Sequence, residues 1–425
     1  MSSSSFLRLG SANTYDNALR NLQSRQTSLS NLQENLTSGK KVVRASDDPT
    51  GAALAERALN RLERVKTDQR ALETQRNAIA TAESTLGDVT DALQNFRELV
   101  ASAGNGSHTA ADRKTIAIQL TGLRDQVFAM ANRTDTNGLP LFSALGSALA
   151  PFVGPQTPAP DYTFQGLPGQ PASSEFAIPF SLDGDSAFMF DASIDQTYNV
   201  KVDANMALIP ANRAVGTDNV VVSNPGAVVS GDAYTITVTG MAAGATPGTG
   251  SATYTVQGIA PSTFPLTTFT SPDFVNTKLP VKIPVTNVPG LSLNMTGDIR
   301  AGDTFTMEPS ASIFSVLDNA IAGIGGAATS NASSQAVGQA LTNIDIGMGK
   351  VSAVRGQAGD LLNRADRIST NQDKRSIQLE DDRSRAEDLD MIKGIADFQN
   401  QQTGYQAALQ SYAQVQQLSL FKYIG

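Results

Sequence analysis

From residue 58 an apolar side chain recurs every seven positions: Ala58, Val65, Leu72, Ile79, Leu86, Leu93 and Val100, with Leu62, Ala82, Val89 and Phe96 between them. Such spacing is the seam of a coiled coil, because 3.5 residues per turn keep one narrow face turned to a partner helix. It predicts a single helix over residues 49–100, roughly 75 Å long at about 1.5 Å per residue. Tyr15, Leu22, Leu29 and Leu36 repeat the pattern upstream, and Ile116, Leu120, Leu123, Val127 and Met130 repeat it downstream. In the last quarter Val337, Leu341, Ile344, Met348, Val351, Leu362 and Ile368 form a similar stripe, followed by Tyr405, Leu409, Tyr412 and Val415. Each helix is apolar on one face only, so each requires partners. Val65, Leu72, Ile79, Leu86, Leu93, Val351, Leu362 and Ile368 are the expected core of a helical rod.

The middle of the chain alternates differently. "AYTITVTG", "SATYTVQG" and "DTFTMEP" place β-branched and aromatic residues at every second position, between clusters of Gly, Pro, Ser and Asp. Of the 19 prolines, 18 lie between Pro140 and Pro309, and the other is Pro49. Since an interior proline removes a helix hydrogen bond and clashes with the preceding turn, the flanks are free to be long helices and the middle is not. The expected fold is mainly α with an inserted β domain: a long discontinuous helical coiled-coil bundle built from both chain ends around a mostly-β middle. Its segments are an N-terminal assembly helix (1–44), a first rod segment (45–139), the β domain (140–312), a second rod segment (313–393) and a C-terminal assembly helix (394–425).

Charge follows the same division. Residues 140–312 hold 5 basic and 13 acidic residues, which accounts for the whole net charge of −8 and leaves the two ends neutral together. Neutral ends can pack side by side without repulsion, while an acidic middle suits exposure to water and disfavours nucleic acid or an anionic membrane as partners. The absence of cysteine excludes disulfides, thiolate metal sites and cysteine nucleophiles. "MSSSSFLRLG" lacks the basic and apolar regions of a cleaved signal peptide, and no apolar run approaches the roughly 18 residues of a membrane span. Export, if it occurs, is expected to use neither.

The two ends are the extreme case of narrow apolar faces. Residues 1–40 and 394–425 are rich in Ser, Asn and Gln, and one leucine stripe cannot offset the roughly 1–2 kcal/mol per residue lost on ordering the backbone. They are expected to be mobile in the monomer and to order when copies bury their stripes together. Leu22, Leu29 and Leu36, with Leu409, Tyr412, Leu418, Leu420 and Phe421, are the expected assembly surface.

Candidate chemistry is sparse. In "ASDDPTGAAL" the adjacent carboxylates of Asp47 and Asp48 could hold a metal or exchange a proton. The residue before a proline is pushed out of the α region and proline favours the first helical turn, which instead makes Asp48 an N-cap and Pro49 the first helical residue. Asp47 then adds charge near the positive end of the helix dipole, and Gly39 fits the left-handed residue that ends the preceding helix. Capping accounts for every residue of the stretch and is the favoured reading. His108, the only histidine, lies in the loop "GNGSHTAAD", so multi-histidine metal sites are excluded and a triad would rest on it alone. No phosphate-binding GxxxxGK[ST] loop is present. "LEDDRSRAEDLDM" mixes arginines with its acids at helical spacing, which favours a solvated or inter-helix face over a calcium site. No catalytic residue, cofactor or metal is expected.

Several stretches together resemble the bacterial flagellin superfamily. "LTSGKKVVRASDDPTGAALA" is similar to its LSSGKRV…SDDP…A segment, and "ADRKTIAIQLTGLRDQVFAMANRTDTNGLPLF" to its ADR…I…L…AN.T…G..LF segment. The ending, above all "LSLFKYI", resembles the hook-associated junction members of that superfamily more than the filament proteins. The resemblance covers about residues 6–142 and 330–424, and the middle resembles no known pattern. It implies a protein exported unfolded through the flagellar channel to the outside of the cell, with paired terminal helices packed into concentric tubes. The implied partners are hook-associated protein 1, flagellin, further copies of the chain in a ring, and an export chaperone. A filament-forming flagellin is the alternative, and an enzyme carried in the middle is a third reading, confined to carboxylate chemistry.

Overall fold

The computed structural model describes the chain except residues 1–3, 158–160, 203–212, 328 and 425, and except the side chains of residues 4–15 and 415–424. It divides into two compact units, one of Met1–Ala71 with Ile368–Gly425 and one of Leu72–Arg367. The helices α2 (Pro49–Ala103) and α7 (Ser330–Glu387) contribute to both.

The first unit is helical. Besides its shares of α2 and α7 it contains α1 (Ser4–Ser38) and α8 (Met391–Ile424), which run antiparallel along each other. Small residues permit the approach: a β-carbon at Gly394 would press on Leu36 and Leu389, and one at Gly404 on Arg25. Leu62 and Val65 of α2 bury themselves against Leu379 of α7, and Gln69 Nε2 donates to Asp373 Oδ1 at 2.8 Å.

In the second unit α2 and α7 again run antiparallel, with three ion pairs along their flank. Arg76 meets Asp366 at 3.2 Å, Arg355 meets Glu83 at 2.7 Å and Arg97 meets Asp345 at 2.7 Å. Beneath them Leu72, Ile79, Leu86, Leu93 and Val351 are buried, so the seven-residue repeat is the inward face. Leu362 is only half-buried; the inward positions beside it belong to Ala358 and Ala365, whose small side chains let neighbours come close. Two further helices pack together, α3 (Ala110–Ala131) and α6 (Ile313–Gly325). Thr109 and Asp112 form a reciprocal capping box at the start of α3, and Ser312 caps α6 through the Ser315 N–H.

The β structure is concentrated in residues 198–309. One antiparallel sheet runs β3 (Tyr198–Val202), β12 (Thr304–Pro309), β6 (Ala233–Ala243), β7 (Thr249–Ile259), β8 (Thr267–Thr270), with β9 (Phe274–Val275) also on β7. The other runs β10 (Val281–Val288), β11 (Leu291–Gly297), β4 (Val215–Thr217), with β5 (Val221–Val222) also on β11. Alternate residues of both sheets share one core, among them Tyr234, Ile236, Val238, Tyr254, Val256, Ile283, Val285 and Met295. Among its described residues, segment 140–191 carries little strand: β1 (Phe152–Val153), β2 (Thr163–Phe164) and two short helices, α4 (Gly184–Phe188) and α5 (Ala192–Asp195), the last just beyond. That segment closes on aromatic rings instead. Phe314 of α6 lies 5.2 Å from Phe128, 5.5 Å from Phe152, 5.2 Å from Tyr162 and 5.8 Å from Phe188.

Candidate functional site

The corner between α1 and α2 is built as a cap and a turn. Gly39, at φ +71°, occupies the left-handed region that ends α1. Asp48 Oδ1 accepts from the Gly51 N–H at 3.0 Å, the Thr50 N–H at 3.1 Å and the Thr50 hydroxyl at 2.6 Å. These donors, the Gly51 N–H foremost, hold the Asp48 carboxyl below the usual carboxylate range. Asp47 faces backwards: its Oδ2 accepts from the Arg44 N–H at 2.9 Å, and its own N–H donates to the Arg44 carbonyl at 2.9 Å. It therefore closes the turn before the helix, and the dipole of α2 is served by Asp48. Both carboxylates have backbone partners, as capping requires and as a metal or proton-transfer pair does not.

This corner is tied to the one between α7 and α8. The N–H groups of Lys41 and Val42 donate to the Glu387 carbonyl at 2.8 and 3.4 Å, and the Leu389 N–H donates to the Gly39 carbonyl at 2.9 Å. The Lys40 ammonium pairs with the Glu387 carboxylate, and Lys41 Nζ donates to the Arg385 carbonyl at 3.1 Å. Lys40 and Lys41, just past the end of α1, thus reach the far end of α7.

Along α1 and α8 the apolar seam is covered on one side only. Leu22, Leu29, Leu36 and Tyr412 are half-buried, while Leu409 remains 42% exposed. The ends were expected to order only when copies bury their stripes together; within one chain, however, α1 and α8 already serve as partners for each other. The cover is incomplete, because two antiparallel helices bury a strip of contact and leave the flanks in water. Met391, Ile392 and Ile395 of α8, and Leu54, Leu59 and Ile377 elsewhere in the same unit, are exposed. Leu418, Leu420 and Phe421 fall within α8, where their side chains lie outside the described residues.

In the second unit a row of amides on α7 was not found by sequence reasoning. Gln335, Gln339 and Asn343 stand four residues apart and so share one helix face. Gln335 Oε1 accepts from the Thr217 N–H at 3.0 Å, Gln339 Oε1 from the Val200 N–H at 3.0 Å, and Asn343 Nδ2 donates to the Tyr198 carbonyl at 3.0 Å. They supply the hydrogen bonds that β4 and β3 lack as edge strands of their sheets. A cavity of about 280 Å³ beside them is lined by Asp195, Tyr198, Asn219, Gln339 and Asn343. Its polar side chains have partners, Asn219 Nδ2 in Thr342 Oγ1 at 2.9 Å and Asp195 in Lys350 at 2.7 Å.

Near the aromatic cluster the Tyr162 hydroxyl donates to Asp318 Oδ2 at 2.6 Å, and Arg124 reaches both the hydroxyl (3.1 Å) and Asp318 Oδ1 (3.2 Å). Burial pushes the Asp318 carboxyl above its usual value, against the lowering effect of the Tyr162 bond and Arg124. His108 is half-buried, and its carbonyl accepts from Arg113 Nη1 at 2.7 Å. Among the described residues no group of three or more His, Asp or Glu side chains is placed to hold a metal, and no helix is long and apolar enough to cross a membrane.

Known proteins share the helical ends. Residues 11–146 match the bacterial flagellin N-terminal helical region and residues 341–424 the bacterial flagellin C-terminal helical region, together just over half of the chain. Flagellar hook-associated protein 3 of Escherichia coli (strain K12) is 33% identical over 149 residues, 34% of this chain and 46% of that protein. A flagellin of Serratia marcescens is 32% identical over 127 residues, 30% of this chain and 36% of the flagellin. The chain therefore spans less than half the length of these curated relatives. The flagellar junction protein FlgL from Legionella pneumophila shares the fold with a TM-score of 0.53 at 23% identity, covering 73% of this chain and 98% of that one. FlgL from Xanthomonas campestris does so with a TM-score of 0.51 at 21% identity, covering 72% and 94%.

Proposed function

Because the chain belongs to the bacterial flagellin family, we propose that it is a structural subunit of the flagellum, a hook-associated protein that joins the hook to the filament. The observation that carries this reading is the half-open seam of α1 and α8, on which Leu22, Leu29 and Leu36 are only half-buried and Leu409 is exposed. Burying one such side chain contributes roughly 1.5–3 kcal/mol, and in a closed ring the gain recurs in every subunit. Segments 1–44 and 394–425 form the assembly helices, segments 45–139 and 313–393 the rod, and the acidic segment 140–312 faces water. The partners are copies of the chain, hook-associated protein 1 on one side and flagellin on the other. The subunit leaves the cell unfolded through the flagellar export channel, with an export chaperone covering the seam beforehand.

A flagellin forming the filament itself would use the same seam, and abundance separates the two. Subunit stoichiometry measured by mass spectrometry on purified flagella should show a trace component confined to the hook-proximal end. A chain that makes up most of the filament mass would instead be the filament subunit, and its absence from purified flagella would refute both readings.

A further inference from the structure

We propose that Asn105 is a site of spontaneous deamidation, and that the fold gives it a rate far above that of Asn137, although each precedes a glycine. Asn105–Gly106 and Asn137–Gly138 are the two Asn–Gly pairs of the chain. Glycine lacks the β-carbon that would crowd the approach of its nitrogen to the preceding side-chain amide, so this dipeptide is the favourable one. Both pairs lie in exposed turns of the second unit. What differs is how the reacting atoms are occupied.

At Asn105 the attacking atom is free and the electrophile is prepared. The Gly106 N–H makes no hydrogen bond among the described residues. Asn105 Oδ1 accepts from the Ser107 N–H at 3.1 Å, which closes the side chain into a turn spanning Gly106 and directs a donor at the oxygen that becomes negative during attack. At Asn137 every counterpart is engaged. The Gly138 N–H donates to the Asp135 carbonyl at 3.1 Å, and the N–H groups of Asn137 and Leu139 both donate to Asp135 Oδ1 at 2.8 Å. Asn137 Nδ2 is drawn to Asp135 Oδ2 at 3.3 Å, which also sets a carboxylate beside a carbon that must carry an oxyanion.

The reaction needs only water. The Gly106 nitrogen gives up its proton to solvent and bonds to Asn105 Cγ; the Cγ–Nδ2 bond breaks and ammonia leaves, taking up a proton from water. Hydrolysis of the resulting five-membered imide at either carbonyl gives aspartate or isoaspartate. Either product adds a negative charge to the loop between α2 and α3, and isoaspartate lengthens its backbone by a methylene just ahead of the Thr109–Asp112 capping box.

The test follows both sites by peptide mapping of the intact folded protein during prolonged incubation at mildly alkaline pH. Asn105 should convert at least about tenfold faster than Asn137, a difference of roughly 1.4 kcal/mol in barrier. In urea the two rates should converge, because the protection of Asn137 belongs to the fold. Asp135→Ala should raise the rate at Asn137 towards that at Asn105. Equal rates in the folded protein, faster conversion at Asn137, or a gap that persists undiminished in urea would each overturn the proposal.

Discussion

The β sandwich and the α1–α8 pair solve the same problem with opposite results. In the sandwich Ile236, Val256, Ile283 and Met295 are fully buried, because two sheets close over both faces of one core. In the helical pair Leu22, Leu29 and Leu36 are half-buried and Leu409 is exposed, because each helix finds one neighbour where a closed bundle would supply at least two. A sheet face is broad and is satisfied by one opposing layer. A helix stripe is narrow but curved, and one partner leaves both flanks wet. The sandwich core is therefore closed within the chain, while the seam of the helical pair keeps an apolar flank open.

The sharpest way to break that contrast is to charge the seam. Leu29→Asp should abolish ordered self-assembly, since every interface in a symmetric ring would carry the same uncompensated carboxylate. Unfolding of the sandwich should be unchanged, as Leu29 belongs to the other unit. Light scattering or electron microscopy reads the first and near-ultraviolet circular dichroism the second. Rings or filaments formed normally by the variant would show that the seam is not the assembly contact.

A smaller effect, with the opposite signature, is expected from the closed region. Phe314 is fully buried and meets four other rings. Phe314→Ala should cost about 3–5 kcal/mol, the range for removing a buried aromatic from a packed core. Leu29→Ala removes a half-covered side chain and should cost roughly 1 kcal/mol in the monomer. Urea unfolding of both variants checks the ordering. Equal losses would mean that the seam is as closed as the core.

How far each region could be read from the sequence follows from the same contrast. Local periodicity reported the helices, so Ile79, Leu86 and Leu93 stand on the buried face, and the Pro49 signal places Asp48 at a real cap. The pairing of α1 with α8 was missed because each stripe alone is too weak to order its helix; their joint burial depends on residues far apart in the chain, such as Leu36 and Gly394. The cluster around Phe314 joins residues from Phe128 to Phe188, and no short-range period marks them. Gln335, Gln339 and Asn343 look like ordinary polar positions of a helix. Their spacing of four was visible; the unpaired strand edges that give it meaning, at Val200 and Thr217, were not. Asp47 was assigned to the helix dipole because it adjoins the cap, whereas its carboxylate turns back to Arg44.

The smallest expected effect sets one carboxylate of each unit against the other. Asp48 has its pKa lowered by backbone and hydroxyl donors, so its contribution is fully present above the unfolded value of about 3.9 and fades only as the pH falls through the lower folded value. Asp318 has its pKa raised by burial, so the folded state favours the protonated acid; its contribution is greatest below about 3.9 and declines as the pH rises through the higher folded value. Mild acidification from neutral pH to just above the ordinary carboxylate range should therefore leave the α1–α2 corner unchanged and tighten the Tyr162–Asp318 site. Amide exchange at Gly51, whose N–H meets Asp48, reads the first, and the ring-flip rate of Tyr162, whose hydroxyl meets Asp318, reads the second. Asp318→Asn should remove the pH response at Tyr162 without altering Gly51. If Gly51 loosens before the ordinary carboxylate range is reached, the cap is weaker than its three donors require. If Tyr162 loosens instead of tightening, the Arg124 ion pair outweighs burial at Asp318, and the closed unit has the same acid sensitivity as the open one.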